Sequence, residues 1–193
     1  MSLLHSRTTA DFLNWNDMLI FVQKLERDNF YSWSLLIKTG CYTGLRISDL
    51  LNLRWEQLLD KEVLIVKEVK TGKLRRIKLN TELLTLVHRL FNKLGIQDVS
   101  EYLFLNRKTC KVFSRQYINR KLKVFRFKYR LNINNFSTHT LRKTFGRHIW
   151  ENSGYSEKAI TLLSDIFNHS SYRITRRYLG INDDDIDGVY DLL

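Results

Sequence analysis

The sequence predicts a mainly α-helical fold that carries a small antiparallel β-sheet. Apolar residues, 44% of the 193 residues, recur at three- and four-residue spacing along most of the chain. The spacing shortens to two only around residues 63–79, where β-branched side chains are frequent. The chain contains no proline and no repeat or low-complexity stretch that would mark a linker. We therefore predict one domain at residues 14–180, after a leader at residues 1–13.

Three helices are predicted in the first part of the chain. Asn14 or Asn16 can cap the first, which continues to about residue 27. The second spans about residues 31–42 and stops at Gly44, since glycine readily adopts the left-handed conformation that ends helices. The third begins near Arg46.

A β-hairpin and five further helices are predicted in the rest of the chain. Residues 63–66 read VLIV, residues 76–79 alternate polar and apolar side chains, and TGK at residues 71–73 forms the turn. Helical spacing then returns over about residues 81–94, 114–130, 139–152, 156–168 and 171–179.

The charge distribution indicates a polyanionic partner. The net charge is +12 at pH 7, and a strongly basic protein is first expected to bind nucleic acid. Residues 102–150 contain 13 Lys or Arg and no Asp or Glu, whereas the chain after Arg177 contains five Asp and no Lys or Arg. One surface is therefore suited to phosphates, and the acidic tail at residues 181–193 to another contact.

Several classes of protein are excluded by what the sequence lacks. No apolar run approaches the roughly 20 residues that span a membrane, and the N-terminus lacks the features of a signal peptide. Cys41 and Cys110 lie far apart and without metal-ligand spacing, so we interpret both as ordinary small residues. A cytoplasmic location is expected, with no membrane, metal or other cofactor.

Two pairs of polar residues are candidates for chemistry. His139 and Arg142 are three residues apart at the start of a predicted helix, so their side chains share one face. Tyr178 follows His169 by nine residues, and the hydroxyl and arginine side chains around them are typical of phosphate-backbone contacts. Alone, the first pair could also be a solvated basic face, and Tyr178 a packing aromatic.

Arg46 and Lys70 are further candidates. Arg46 follows the Gly44 turn, and Asp49, three residues on, could orient its guanidinium; a simple surface ion pair is the alternative. Lys70 lies beside the hairpin turn and could project into a cleft, although turns often carry exposed lysines.

Taken in order, these residues resemble the catalytic domain of the tyrosine recombinase, or phage integrase, family. The resemblance covers about residues 14–180, and the nine-residue step from the second histidine to the tyrosine matches the family. The motifs that carry it are TGLRISDL at 43–50, KTGKLRRIKL at 70–79, THTLRKTF at 138–145, NHSS at 168–171 and RY at 177–178.

The resemblance implies a metal-free enzyme that breaks and rejoins double-stranded DNA through a 3′-phosphotyrosine and a free 5′-hydroxyl. The implied catalytic residues are Arg46, Lys70, His139, Arg142, His169 and Tyr178. Lys73 could take the role of Lys70. The sequence departs from the family at Lys78, where proline is common, at residues 167–168, where the family often has Leu-Gly, and at Lys143, where histidine is frequent.

The implied roles agree with what the reaction requires of a phosphate site. Arg46 and Arg142 can hold the non-bridging oxygens through charge-assisted hydrogen bonds and stabilise the additional charge of the transition state, and His169 can bind the phosphate. Two-metal nucleases need several carboxylates, which residues 102–150 lack, so metal-free chemistry is expected.

The nucleophile and the leaving group each need a proton transfer. The phenol of Tyr178 has an ordinary pKa of about 10, so His139 is the candidate base. Lys70 is the candidate acid for the leaving 5′ oxygen.

Three functions are compatible with such a site. A site-specific recombinase, our preferred interpretation, exchanges strands in a tetramer, whereas a type IB topoisomerase relaxes supercoils as a monomer. A catalytically silent DNA-binding module is the third. Family members usually carry an N-terminal DNA-binding domain that is absent from this sequence, so we expect a fragment or a reduced form with weak, salt-dependent DNA binding.

The acidic tail is predicted to form a docking helix. Asp183, Asp184 and Asp185 suit a first helical turn, and an apolar face follows at Ile186, Val189, Tyr190 and Leu193. The resemblance implies that this helix packs on a neighbouring subunit; folding back onto its own domain is the alternative.

Overall fold

The computed structural model describes residues 10–181, and the chain folds into the predicted helices with two small antiparallel sheets. In chain order the elements are α1 (Trp15–Arg27), α2 (Tyr31–Thr43), α3 (Ile47–Leu51), β1 (Val63–Lys67), β2 (Leu74–Lys78), α4 (Thr81–Lys93), β3 (Leu105–Asn106), β4 (Lys111–Val112), α5 (Arg115–Lys128), α6 (Thr138–Asn152), α7 (Glu157–Phe167) and α8 (Tyr172–Leu179). A short 3₁₀ turn, Trp55–Gln57, follows α3.

The caps of the first helices are those that the sequence predicts. The Asn14 side chain accepts a hydrogen bond from the N–H of Asn16 at the start of α1. Gly44 ends α2 in the left-handed conformation, with φ of 58°. A Cβ atom at Gly44 would lie 2.5 Å from the Phe145 ring of α6, so α2 and α6 approach closely only because this residue is glycine.

The predicted hairpin is present, and a second one accompanies it. β1 pairs antiparallel with β2, with Ile65 opposite Arg76, and the turn contains Gly72 at a φ of 68°. The prediction of a single sheet was incomplete, because β3 and β4 form another two-stranded pair. This second hairpin leads directly into α5.

Buried apolar residues form two separate clusters. The main core lies among α1, α2, α4 and α5 and includes the fully buried Phe21, Leu36 and Phe125. A smaller cluster, here called the α7–α8 core, consists of Trp150, Ala159, Ile160, Leu163, Phe167, Leu179 and Ile181. The helix α6 contributes to both, with Leu141 in the main core and Trp150 in the smaller one.

The ends of the described chain bear on the predicted boundaries. Leu13, assigned to a leader, is buried, and its N–H donates to Thr144 Oγ1 at 2.9 Å. Asp11 accepts hydrogen bonds from the backbone of residues 134 and 135. The predicted docking helix, beyond Ile181, lies outside the described residues. None of the helices in residues 10–181 has the length and apolar character needed to cross a membrane.

Candidate active site

A cleft of about 670 Å³ opens at the N-terminal end of α6, and all six predicted catalytic residues line it. They come from five parts of the chain: Arg46 before α3, Lys70 at the hairpin turn, His139 and Arg142 on α6, His169 between α7 and α8, and Tyr178 on α8. Arg115 of α5 adds another cation, and no Asp or Glu of residues 10–181 lines the cleft. That described part also contains no group of three His, Cys, Asp or Glu placed to hold a metal ion.

The backbone carbonyl of Phe167 holds the two arginines side by side. Nη2 of Arg46 and Nη2 of Arg142 each donate to this oxygen at 2.9 Å. Arg142 also donates to the Gly44 carbonyl at 2.7 Å, and its guanidinium lies 4.3 Å from the centre of the Phe167 ring. Burial lowers the pKa of Arg142 to about 10, so its charge persists at neutral pH. Two adjacent guanidinium groups can bind two oxygens of one phosphate.

Arg46 is oriented by Glu68, so the prediction that Asp49 orients it was wrong. Glu68 is buried, and its carboxylate lies 2.7 Å from Nη1 of Arg46 and accepts from the Thr71 hydroxyl at 2.8 Å. Burial alone would raise the pKa of Glu68, but these hydrogen bonds and the nearby arginine charges outweigh it and lower the pKa. Asp49, also buried, instead accepts the N–H of Val69 at 2.8 Å and fixes the hairpin next to Lys70.

The two candidate lysines of the hairpin have different surroundings. Lys70 lines the cleft. The ammonium of Lys73 donates to Oδ1 of Asn168 at 2.8 Å, which ties the hairpin to the end of α7. Asn168 caps α7 in the left-handed conformation, with φ of 50°. The geometry therefore favours Lys70 as the lysine that meets a ligand in the cleft.

Both cleft histidines are held in the neutral form at pH 7. Burial, followed by the charges of Arg142 and Arg46, lowers the pKa of His169 to about 4. Its Nδ1 lies 2.9 Å from the hydroxyl of the buried Thr175. Partial desolvation and neighbouring cations, Arg115 first among them, lower the pKa of His139. A neutral His139 can accept a proton.

The ring of Tyr178 packs on aromatic neighbours, and its hydroxyl faces α6. The ring centre lies 5.4 Å from those of Phe167 and His169. The hydroxyl is 3.5 Å from the carbonyl oxygen of His139. Burial raises the pKa of Tyr178 to about 12, while the charges of Arg142 and Arg46 act in the opposite direction. Ionisation of this phenol therefore needs a base or additional positive charge.

Sequence reasoning missed Glu68 and Arg75, which support the cleft. It placed Thr175 among the hydroxyls that contact a phosphate backbone, and this was wrong, because Thr175 is fully buried and its hydroxyl meets His169. Arg75 donates to the carbonyls of Thr43 and Gly44, at 2.7 and 3.4 Å, and so fixes the turn before Arg46. A signal for Arg75 existed, because it shares the half-buried face of β2 with Ile77, where a charge needs a partner. Glu68 had no comparable signal.

Comparison with known proteins assigns the chain to a family. The sequence profile of the phage integrase family matches residues 12–184. "Probable integrase/recombinase YoeC" of Bacillus subtilis (strain 168) is 35% identical over 169 residues, which cover 88% of this chain and 86% of that protein. Tyrosine recombinase XerH of Campylobacter jejuni is 22% identical over 182 residues, covering 90% of this chain and 49% of XerH.

A solved structure shares the fold. The Tn1549 transposon integrase in complex with transposon right end DNA superposes with a TM-score of 0.70 at 20% identity, covering 91% of this chain and 63% of that one. The chain thus spans about half of XerH and less than two thirds of the solved integrase chain. From the profile match and the identity to YoeC, the chain belongs to the phage integrase family, the tyrosine recombinases, and corresponds to their catalytic domain.

Proposed function

We propose that this protein acts in site-specific recombination by cutting and rejoining double-stranded DNA through a 3′-phosphotyrosine on Tyr178. The observation that supports this most strongly is the composition of one cleft, in which a tyrosine, two neutral histidines, a lysine and two adjacent arginines converge. Within the part of the chain that the structure describes, no carboxylate lines this cleft. The names of the relatives YoeC and XerH support the same class of reaction.

Each residue has a role that follows from its chemistry. The guanidinium groups of Arg46 and Arg142 bind the non-bridging oxygens of the scissile phosphate. The oxygen of Tyr178 attacks phosphorus, and His139 accepts the phenolic proton. As the bond between phosphorus and the 5′ oxygen breaks, Lys70 protonates this leaving oxygen.

The neutral His169 completes the phosphate site. If the Thr175 hydroxyl donates to Nδ1, the ring proton lies on Nε2, which can then donate to a phosphate oxygen. In the reverse reaction the 5′-hydroxyl of another strand attacks the phosphotyrosine and releases Tyr178. The phosphodiester energy is conserved in the covalent bond, so no ATP is consumed.

We propose that the reaction needs no metal ion, because side chains supply the positive charge that the transition state requires. Arg46, Arg142 and Lys70 carry that charge in the cleft. Cleavage should therefore proceed in excess EDTA. Loss of cleavage under chelation, with recovery on addition of magnesium, would contradict this part of the proposal.

DNA is the proposed partner, with assembly into a tetramer on it. The net charge of +12 and the two adjacent guanidinium groups of Arg46 and Arg142 support DNA binding. The solved Tn1549 integrase is bound to DNA. Supercoil relaxation by dilute, monomeric protein would instead favour a topoisomerase.

Trapping the covalent intermediate tests the proposal. A library of nicked duplexes with randomised sequence around the nick supplies a substrate for whichever site the protein recognises. The wild type should form a protein–DNA adduct that survives a denaturing gel, and digestion should map it to the peptide with Tyr178. Tyr178→Phe should bind DNA but form no adduct, whereas Tyr172→Phe, an exposed tyrosine of the same helix, should react normally. An adduct in Tyr178→Phe would refute the assignment.

A further inference from the structure

We propose that Lys143 is a positioning residue of the reaction, whose ammonium lies over the ring of Tyr178 and favours the phenolate that attacks phosphorus. This inference rests on the proposed function. Lys143 follows Arg142 on α6, but it does not line the cleft.

The surroundings of Lys143 are unusual for a lysine. The residue is only 7% exposed, and its Nζ lies 5.5 Å from the centre of the Tyr178 ring. Within residues 10–181, its ammonium forms neither a hydrogen bond nor an ion pair within 4.0 Å. Buried lysines are rare unless they are paired. The Tyr178 ring, together with the longer-range charge of Asp11, therefore forms the surroundings of this ammonium.

A cation beside a tyrosine ring favours the ionised form of that tyrosine. The ring face of a neutral phenol attracts a cation weakly through its quadrupole. Ionisation places a full negative charge on the oxygen and ring, so the attraction becomes one between two charges. In this proposal Lys143, by its position over the ring, acts in the same direction as the charges of Arg142 and Arg46, which oppose the burial that raises the pKa of Tyr178.

Other charged groups also lie near Tyr178. Unlike Lys143, they line the cleft, where a bound phosphate would contact them. Arg142 and Arg46 lower the pKa of Tyr178, and His139, His169 and Lys70 share the cleft with it. Glu68 partly offsets the charge of Arg46.

A bound phosphate would neutralise part of the charge of both arginines just when Tyr178 must ionise. Lys143 lies outside the cleft lining, so the phosphate does not contact it and its charge remains available. Burial lowers the pKa of Lys143 itself, and the charge of Asp11, from the segment before α1, acts in the opposite direction.

The test compares neutral and charged replacements of Lys143. Lys143→Met removes the charge and keeps the length, Lys143→Gln is a second neutral variant, and Lys143→Arg keeps the charge. Lys158→Met, at an exposed position of α7, is the matched control for the loss of one charge. A buried methionine leaves no polar group unsatisfied, so Lys143→Met should melt no lower than the wild type.

Two readouts separate this inference from the proposed function. The first is the titration of Tyr178, followed by NMR of tyrosine labelled at Cζ without DNA and assigned with Tyr178→Phe. The second is the single-turnover rate of adduct formation against pH.

Both neutral variants should shift the Tyr178 titration and the rate profile upward by about one pH unit, which is about a tenfold slower reaction at neutral pH. Lys143→Arg and Lys158→Met should behave as the wild type. If the wild type forms its adduct at Tyr178 but Lys143→Met matches Lys158→Met in both readouts, Lys143 has no such role. If the wild type forms no adduct, the proposed function fails, and the NMR titration still decides the role of Lys143.

Discussion

Glu68 joins the hairpin to Arg46, one of the two arginines of the candidate site. Its carboxylate contacts the guanidinium of Arg46, which precedes α3, and the hydroxyl of Thr71 in the hairpin turn. Since Glu68 is only 3% exposed, its charge is poorly solvated and depends on these contacts. We therefore expect this residue to matter for the orientation of Arg46 more than for DNA binding.

Replacing Glu68 with Gln should separate these two effects. The amide keeps the shape but loses the ion pair, so we expect a loss of about 1–3 kcal/mol in unfolding free energy and about tenfold slower cleavage as Arg46 becomes less ordered. DNA affinity should not fall, because a negative charge is removed. Urea denaturation, single-turnover cleavage and DNA titration measure the three quantities. Glu56→Gln, an exposed position, is the control. Weaker DNA binding with unchanged cleavage would contradict the assigned role.

The neutral state of His169 makes stability depend on pH. Its pKa in the folded protein is about 4, below its ordinary value of 6.5, so the unfolded chain binds more protons between these values. The contribution of the neutral His169 to the free energy of unfolding is complete above about pH 6.5 and is lost as the pH falls towards 4.

His169→Gln should reduce this pH dependence, because the side chain no longer titrates. With allowance for solvent screening at a partly exposed ring, the difference in unfolding free energy between pH 7 and pH 5 should shrink by about 1 kcal/mol. Urea denaturation at both pH values measures it. An unchanged difference would mean that His169 is not held neutral.

The sequence identified the six residues that line the cleft but not the contacts that orient them. Spacing along a helix predicts which side chains share a face, as it does for His139 and Arg142. The partners of Arg46 and Asp49 lie on the hairpin about 20 residues away, and only the fold of the hairpin against α3 decides which carboxylate meets which group. Local spacing contains no information on that choice.

At the scale of helices, the position of Tyr178 depends on the close approach of α6 and α8. Gly146 of α6 faces Leu179 and Phe167, and a Cβ atom there would lie 2.7 Å from the Leu179 side chain and 3.0 Å from the Phe167 ring. Leu179 is adjacent to Tyr178, and the Phe167 carbonyl holds both arginines. A small displacement at this contact would therefore disturb Tyr178, the proposed nucleophile, and the proposed phosphate site together.

Gly146→Ala should consequently destabilise the protein and impair cleavage. Overpacking of a buried contact costs about 1–3 kcal/mol, and movement of α8 by a fraction of an ångström should slow cleavage about tenfold or more. Gly154→Ala is a useful comparison: nothing lies within 4 Å of its Cβ position, although its φ of 66° makes some backbone strain expected. Thermal unfolding and single-turnover cleavage are the measurements. Normal cleavage by a destabilised Gly146→Ala would separate α8 packing from catalysis.

Helices were easier to predict from the sequence than strands. The longer helices have several turns of apolar spacing, and some have a polar N-cap, such as Asn80 before α4 or Ser156 before α7. The β1–β2 hairpin was found because β-branched residues flank a glycine turn. β3 and β4 contain two residues each, too few to show a period, and they form only because the chain folds back before α5.

In the molecule as a whole, the candidate site lies across the two apolar clusters. Leu45, next to Arg46, belongs to the main core, as does Leu141, next to Arg142. His169 follows α7, and Tyr178 of α8 packs against the smaller α7–α8 core. The smaller cluster buries less apolar surface, so it should open more readily than the main core.

Hydrogen exchange can detect this difference. Amides in α7 and α8 should exchange by local opening, with protection lower than that of α2 and α5 by about 1–3 kcal/mol. Leu163→Ala, in the α7–α8 core, should widen the gap, whereas Leu36→Ala, in the main core, should lower protection throughout. Equal protection of all four helices in the wild type would show that the two clusters unfold as one unit.

The division into two apolar clusters also affects how the protein should lose activity when it is heated. The proposed nucleophile, Tyr178, packs against the smaller cluster, which we expect to open first, so activity and folded structure need not be lost together. On slow heating, cleavage should decline while far-ultraviolet circular dichroism still reports most of the helix content. Destabilising substitutions in α7 and α8 should then make the proposed DNA recombination temperature-sensitive, while the protein itself remains abundant and largely folded.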